Sequence, residues 1–179
     1  MTAELSNVDE ISLMFEAARS FIGGAKIIIV SEGIEENGLI RTPTLPVIIC
    51  AAIAVEIELK AILKLQGISR PKGDGHDLDV LFCSLPAEHQ RGLLEFQLTY
   101  TGMSPDAARV ALTEVRDVFK EWRYAYEHST LATAPGFLYH FALALSEYIK
   151  VNASIERSEN GWRHVSGDSP GSPISHPRQ

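Results

Sequence analysis

The stretch "FKEWRYAYEHST", residues 119–130, sets an arginine, two tyrosines, a glutamate and a histidine within six consecutive positions, 123 to 128. Arg123 and Glu127 are four residues apart, one turn along the same side of a helix. They can pair for roughly a few tenths of a kcal/mol. His128 stands five residues from Arg123, about 140° round an ideal helix, so both can face one ligand only where the helix unwinds. The following "STLATAPG", with Ser, Thr and a Pro-Gly pair, supplies such an end at or just before His128. An imidazole that ionises near neutral pH can move a proton, and an arginine's planar fork can hold a phosphate by two bonds. Together they would supply what metal-free RNA cleavage needs. A plainer reading stays open, in which Arg123 and Glu127 only close a crowded helix end.

Further residues could extend such a site. Arg109, Arg116, Lys120 and Arg123 are spaced by seven, four and three, which places them on one stripe of a continuous helix. Arg116 and Lys120 are then candidates for RNA binding, along a basic track leading to "RYAYEH". The alternative is a solvated face laced by Asp106–Arg109 and Asp117–Lys120 pairs. Glu56 lies in an apolar stretch, and a buried carboxylate needs a partner. Lys60, one turn on, and Arg123, across the bundle, are the candidates. His76, ahead of Asp77 and Leu78, reads either as a helix-start residue bonding across the bundle or as a ligand group. Tyr124, with Trp122 and Tyr126, is either core or a platform for stacked bases.

The common catalytic signatures are missing: no GxGxxG follows a strand, and there is no P-loop, HExxH or GxSxG. The six histidines (76, 89, 128, 140, 164 and 176) do not pair with one another or with cysteine at metal-ligand spacing, so neither metal nor cofactor is expected. Cys50 and Cys83 lie among apolar residues, the pattern of buried, reduced thiols. A net charge of −7 repels nucleic acid overall, so any RNA partner needs a local basic surface. The opening "MTAELSNVDE" is acidic and lacks a leader's basic start and apolar core. The longest apolar run, residues 45–55, is too short to span a bilayer. A soluble cytoplasmic protein without membrane contact is the expectation.

The elements that must position these residues read as helices. A first helix starts after Ser6 or Asn7 and runs to about Ser31, with Ile11, Met14, Phe15, Ala18, Phe21 and Ile22 on one face. Residues 35–46, with Asn-Gly and two prolines, read as a loop. Helix two comes next, from Pro46 to about Gln66, apolar nearly all round in its first half, which is therefore expected to be central, and stopped by Gly67. Helix three spans 77–85, helix four 86–100, helix five 105–127 behind a Ser104-Pro105 cap, and helix six 135–153. From Ser154 the chain is rich in Ser, Gly and Pro and reads as a mostly disordered tail, with Trp162 and Val165 docking locally. The fold class is therefore all-α: one helical bundle of about five or six helices over residues 1–153, then a tail over 154–179.

Three segments in this order, "AAIAVEIELKAILKLQG", "GHDLDVL" and "FKEWRYAYEH", resemble the HEPN family (higher eukaryotes and prokaryotes nucleotide-binding domains) over roughly residues 10–150. The Ala-x-Glu-x-x-Leu-Lys-Ala pattern at 54–61 and "GHDL" at 75–78 resemble its second and third helical segments. "RYAYEH" matches the family's Arg-x4-6-His motif at Arg123 and His128. The resemblance implies a small helical bundle acting as a metal-independent endoribonuclease, often a toxin or phage-defence effector with an antitoxin or other partner protein. It also implies a homodimer in which the motifs of two copies meet in one cleft. Arg123 would then hold the scissile phosphate, His128 would transfer protons, and Glu127 would orient His128. The chain continues "HST" where toxins paired with a nucleotidyltransferase antitoxin continue His-x-Tyr. The alternative within the same resemblance is a catalytically inactive module that binds a partner protein or a nucleotide.

Overall fold

The structure, a computed structural model, describes residues 7–31, 34–36, 39–41, 44–69, 75–118, 135–153, 155–158 and 161–164. Helix α1 spans Asn7–Val30 and α2 spans Thr44–Leu65. Between them β1 (Ile34–Glu36) and β2 (Leu39–Arg41) pair antiparallel, Glu36 opposite Leu39. Then come α3 (Leu78–Cys83), α4 (Ala87–Phe96), the short α5 (Leu98–Thr101) and α6 (Pro105–Glu114). Helix α7 spans Pro135–Asn152. A second hairpin, β3 (Ile155–Ser158) with β4 (Gly161–His164), comes last and lies against α1.

The expected helical bundle is present. Helices α1 and α7 both pack along α2 and also touch each other, so α2 is the central rod. The apolar faces supply the core: Phe15, Ile48, Leu59, Phe82, Leu112, Leu138 and Phe141 are all fully enclosed. Each large apolar side chain so buried contributes about 1.5–3 kcal/mol relative to exposure. The anticipated stripes are buried where they are described: Ala108, Ala111, Leu112, Val115 and Val118 on one side, Phe137, Leu138, Phe141, Leu145 and Tyr148 on the other. "KIIIV" completes α1 as helix, and the Gly23-Gly24 pair does not interrupt it. No helix among the described residues is long and apolar enough to cross a membrane.

Local chemistry sets the helix ends. Gly67, at φ 66°, ends α2: Ile68 N–H donates to Leu63 O (2.9 Å) and Gly67 N–H to Lys64 O (3.0 Å). This paired-bond closure needs a left-handed residue, which glycine adopts without strain. Ser104 Oγ accepts from Ala107 N–H (3.3 Å), with Pro105 in the first turn, to start α6. Gln97, fully buried, donates to Leu94 O (2.8 Å) and Met103 O (3.0 Å) and so fixes the turn at Gly102 that feeds α6.

Four expectations are corrected. Residues 34–36 and 39–41 pair as strands where only a loop was expected, and at the start of the expected tail 155–158 pair with 161–164. The α2 stretch most enclosed is 51–63, whereas Leu45 and Ile49 on its first turns stay well exposed. The helix expected over 105–127 ends at Glu114. Val115 leaves helical geometry (φ −96°, ψ 9°), and the ladder tightens to Arg116 N–H→Thr113 O and Val118 N–H→Val115 O. The cause is tertiary, because Arg116 O is taken by Leu78 N–H of α3 (3.1 Å). Residues 119–134, the remainder of that expected helix, and 165–179 lie outside the described residues.

Candidate active site

The start of α3 is built against the middle of α2. Asp77 is buried at 3% exposure, caps α3 by accepting from Val80 N–H (2.9 Å), and turns its other oxygen to Arg116. Arg116 donates to that oxygen through Nε (3.0 Å) and Nη2 (2.6 Å). One carboxylate therefore holds both the beginning of α3 and the segment just after α6. The hydrogen bond and charge of Asp77 push the Arg116 guanidinium further up, although 44% of that side chain is exposed.

The residue before this cap, His76, is thereby held over α2. Its Nδ1 lies 3.1 Å from both Oε1 and Oε2 of Glu56. A carboxylate only accepts, so Nδ1 carries the hydrogen. Lys60, one turn along α2, also donates to Glu56 Oε1. Glu56 and Lys60 are almost enclosed, whereas 67% of the His76 side chain is exposed. The structure thus gathers Glu56, Lys60 and His76 into one cluster: a carboxylate positioned by a lysine and carrying an imidazole at the surface.

Arg109 is also committed. It bonds Asp79 Oδ1 and Thr113 Oγ1 (2.6 Å), sits over the Phe82 ring with 5.5 Å to its centroid, and places Nη2 3.2 Å from Cys83 Sγ. The principal partners of the two arginines are therefore Asp79 and Asp77, on or beside α3, rather than acids at helical spacing. Since α6 stops at Glu114, Arg116 lies beyond the helix that carries Arg109, and the two share no continuous helical stripe. Cys83 is exposed and Cys50 partly so, and both are free, which corrects the expectation of two buried thiols. Lys120, Arg123, Tyr124, Glu127 and His128 lie outside the described residues, as does the Arg123 partner considered for Glu56. No group of three or more metal-binding side chains stands together among the described residues.

Sequence reasoning missed a second polar feature. Glu58 is fully buried between α2 and α7, where Ser146 Oγ donates to its Oε1 (2.5 Å) and Oε2 has no hydrogen-bond partner. Burial pushes the Glu58 carboxyl well above its usual range. The Ser146 bond and the Arg19 charge oppose this, and the Glu147 charge adds to it. The signal was in the sequence: the positions three and four away from Glu58 (Ala54, Val55, Ala61 and Ile62) are all apolar.

Neither a protein-family model, nor a curated protein, nor a solved structure matches this chain.

Proposed function

We propose that the protein is a HEPN-like, metal-independent endoribonuclease that acts as a homodimer, with a toxin or phage-defence role and RNA as substrate. In this reading Arg123 holds the scissile phosphate, His128 transfers a proton, and Glu127 and Tyr124 support them. The observation that carries the reading is the Glu56–Lys60–His76 cluster beside the Asp77–Arg116 clamp. Two of the three motifs behind the resemblance, around Glu56 and around His76, are in contact in a helical bundle. The third begins just after the clamp: five residues separate Val118 from Arg123, a chain reach of at most about 18 Å.

A second reading has its own support. Arg109 and Arg116 are both ion-paired, so they do not form an open basic track for RNA. That favours a catalytically inactive module binding a partner protein or nucleotide. One comparison separates the two: purified protein is incubated with single-stranded and loop-containing RNA in EDTA, alongside Arg123→Ala and His128→Ala, with thermal midpoints measured for all three. The nuclease reading expects cleavage that His128→Ala abolishes at a nearly unchanged midpoint. The inactive module expects no cleavage, a destabilised Arg123→Ala and a silent His128→Ala.

A further inference from the structure

The break after Glu114 has no cause in its own stretch of chain. Sharp kinks in helices come from proline, from glycine, or from a group inserted into the hydrogen-bond ladder, and residues 106–134 contain neither glycine nor proline. Up to Val115 the ladder keeps helical spacing, with Val115 N–H donating to Ala111 O (3.2 Å). Over 115–117 the chain turns more tightly, through Arg116 N–H→Thr113 O (3.4 Å) and Val118 N–H→Val115 O (3.1 Å). Burial does not demand the change. On a continuous helix Ala108, Ala111, Leu112, Val115 and Val118 would lie within about 120° of one another, and all five are buried as the chain stands. One local candidate remains: Thr113 Oγ1 donates to Arg109 O (3.1 Å), a bond that bends a helix slightly. The stronger pull comes from the start of α3. Leu78 N–H takes Arg116 O (3.1 Å), and the Asp77 carboxylate takes the Arg116 side chain through Nε (3.0 Å) and Nη2 (2.6 Å). Asp77 is buried and also bound to Val80 N–H, so it is a fixed anchor.

We propose that the Asp77–Arg116 pair is a conformational latch. It draws residues 115–118 onto the start of α3 and stops α6, and its release lets α6 run on as one helix through Val118. In the released form Arg116 N–H returns to Leu112 O and Val118 N–H to Glu114 O, each four residues back. Val115 and Val118 stay on the apolar face, so the two forms differ chiefly in the bonds to α3 against the bonds of the ladder. The latch thereby sets the direction in which the chain leaves α6 and ties it to the seating of α3. This joint lies wholly within residues 77–118 and is independent of any cleavage of RNA.

The test compares full-length wild type, Asp77→Ser, Asp77→Asn and Thr113→Val, labelled with ¹⁵N and ¹³C. Serine can still cap α3 but is too short to hold Arg116, whereas asparagine keeps the reach and loses the charge. Scalar couplings across hydrogen bonds, from donor nitrogen to acceptor carbonyl carbon, identify each backbone pair directly. Wild type should show the coupling from Leu78 to Arg116 and none from Arg116 to Leu112. In Asp77→Ser the first should vanish, the Leu78 amide should lose its protection from exchange, and couplings from Arg116 to Leu112 and from Val118 to Glu114 should appear. Asp77→Asn should show a mixture of the two patterns, and Thr113→Val the wild-type pattern. A folded Asp77→Ser that keeps the Leu78–Arg116 coupling would overturn the latch, as would a continuous helix in Thr113→Val or already in the wild type. Should Asp77→Ser fail to fold, Asp77→Asn decides: the released coupling pattern supports the latch, and an unchanged wild-type pattern overturns it.

Discussion

Replacing Glu58 by glutamine should abolish a pH dependence of stability that the wild type carries. Glu58 is 0% exposed, and one of its two oxygens has no partner. Burial therefore favours its protonated form in the fold. Below the ordinary carboxyl value, 4.5, both folded and unfolded chains hold the proton. As pH rises above it the unfolded chain releases the proton while the folded chain keeps it, so unfolding is increasingly favoured. The loss is up to about 1.4 kcal/mol per pH unit, until the folded group also ionises. Glutamine cannot titrate, yet its amide oxygen can still accept from Ser146. The difference in unfolding free energy between the two proteins should therefore widen steadily above pH 4.5. Glu58→Met goes further by removing the orphaned oxygen, which should raise stability at pH 7 by about 1–3 kcal/mol. Ser146 can then turn to a carbonyl of its own helix. Urea denaturation of the three proteins from about pH 4 to 8, extrapolated linearly, reads these quantities. Parallel pH profiles for wild type and Glu58→Gln would refute the reasoning.

Asp77→Ala should lower stability by about 1 kcal/mol through the lost α3 cap, because the exposed Arg116 can then reach water, and Arg116→Ala should cost more, because it leaves the buried Asp77 carboxylate without its cation. Asp77→Asn should keep the cap and lose only the charged part, which urea denaturation of the three variants will resolve. Gly67→Ala should cost about 1–2 kcal/mol, since φ 66° strains any residue with a Cβ; an unchanged denaturation midpoint would contradict the paired-bond ending of α2. His76→Ala should leave the thermal midpoint nearly unchanged, since an exposed side chain contributes little packing.

The helices were legible because their signals are local. Apolar spacing located α1 and α7, Ser104-Pro105 the start of α6, and Gly67 the end of α2. The first hairpin carries a local signal as well: Asn37-Gly38 is the two-residue sequence between strands whose register sets Glu36 opposite Leu39. The end of α6 at Glu114 was not legible, because the carbonyl of Arg116 is claimed by Leu78, far back in sequence. The arginine partners were hidden for the same reason. Asp106 looked adequate for Arg109 at helical spacing, whereas Asp79 binds Arg109 and Asp77 binds Arg116 from α3 or just before it. In the candidate site, the Glu56–Lys60 pair came from four-residue spacing, and the bond from His76 across the bundle was expected of a helix-start residue. That these two meet on one carboxylate needed the fold.

The most direct measurement of the central claim is the chemistry of the cut end. An RNA containing a site the wild-type protein cleaves is incubated in EDTA beside the same RNA with a single 2′-deoxy sugar at that site, and the products are weighed by mass spectrometry. The account predicts a 2′,3′-cyclic phosphate and a 5′-hydroxyl from the first, and no cut at that site in the second. A 5′-phosphate end, cleavage at the deoxy position, or no cleavage of any RNA without metal would contradict it.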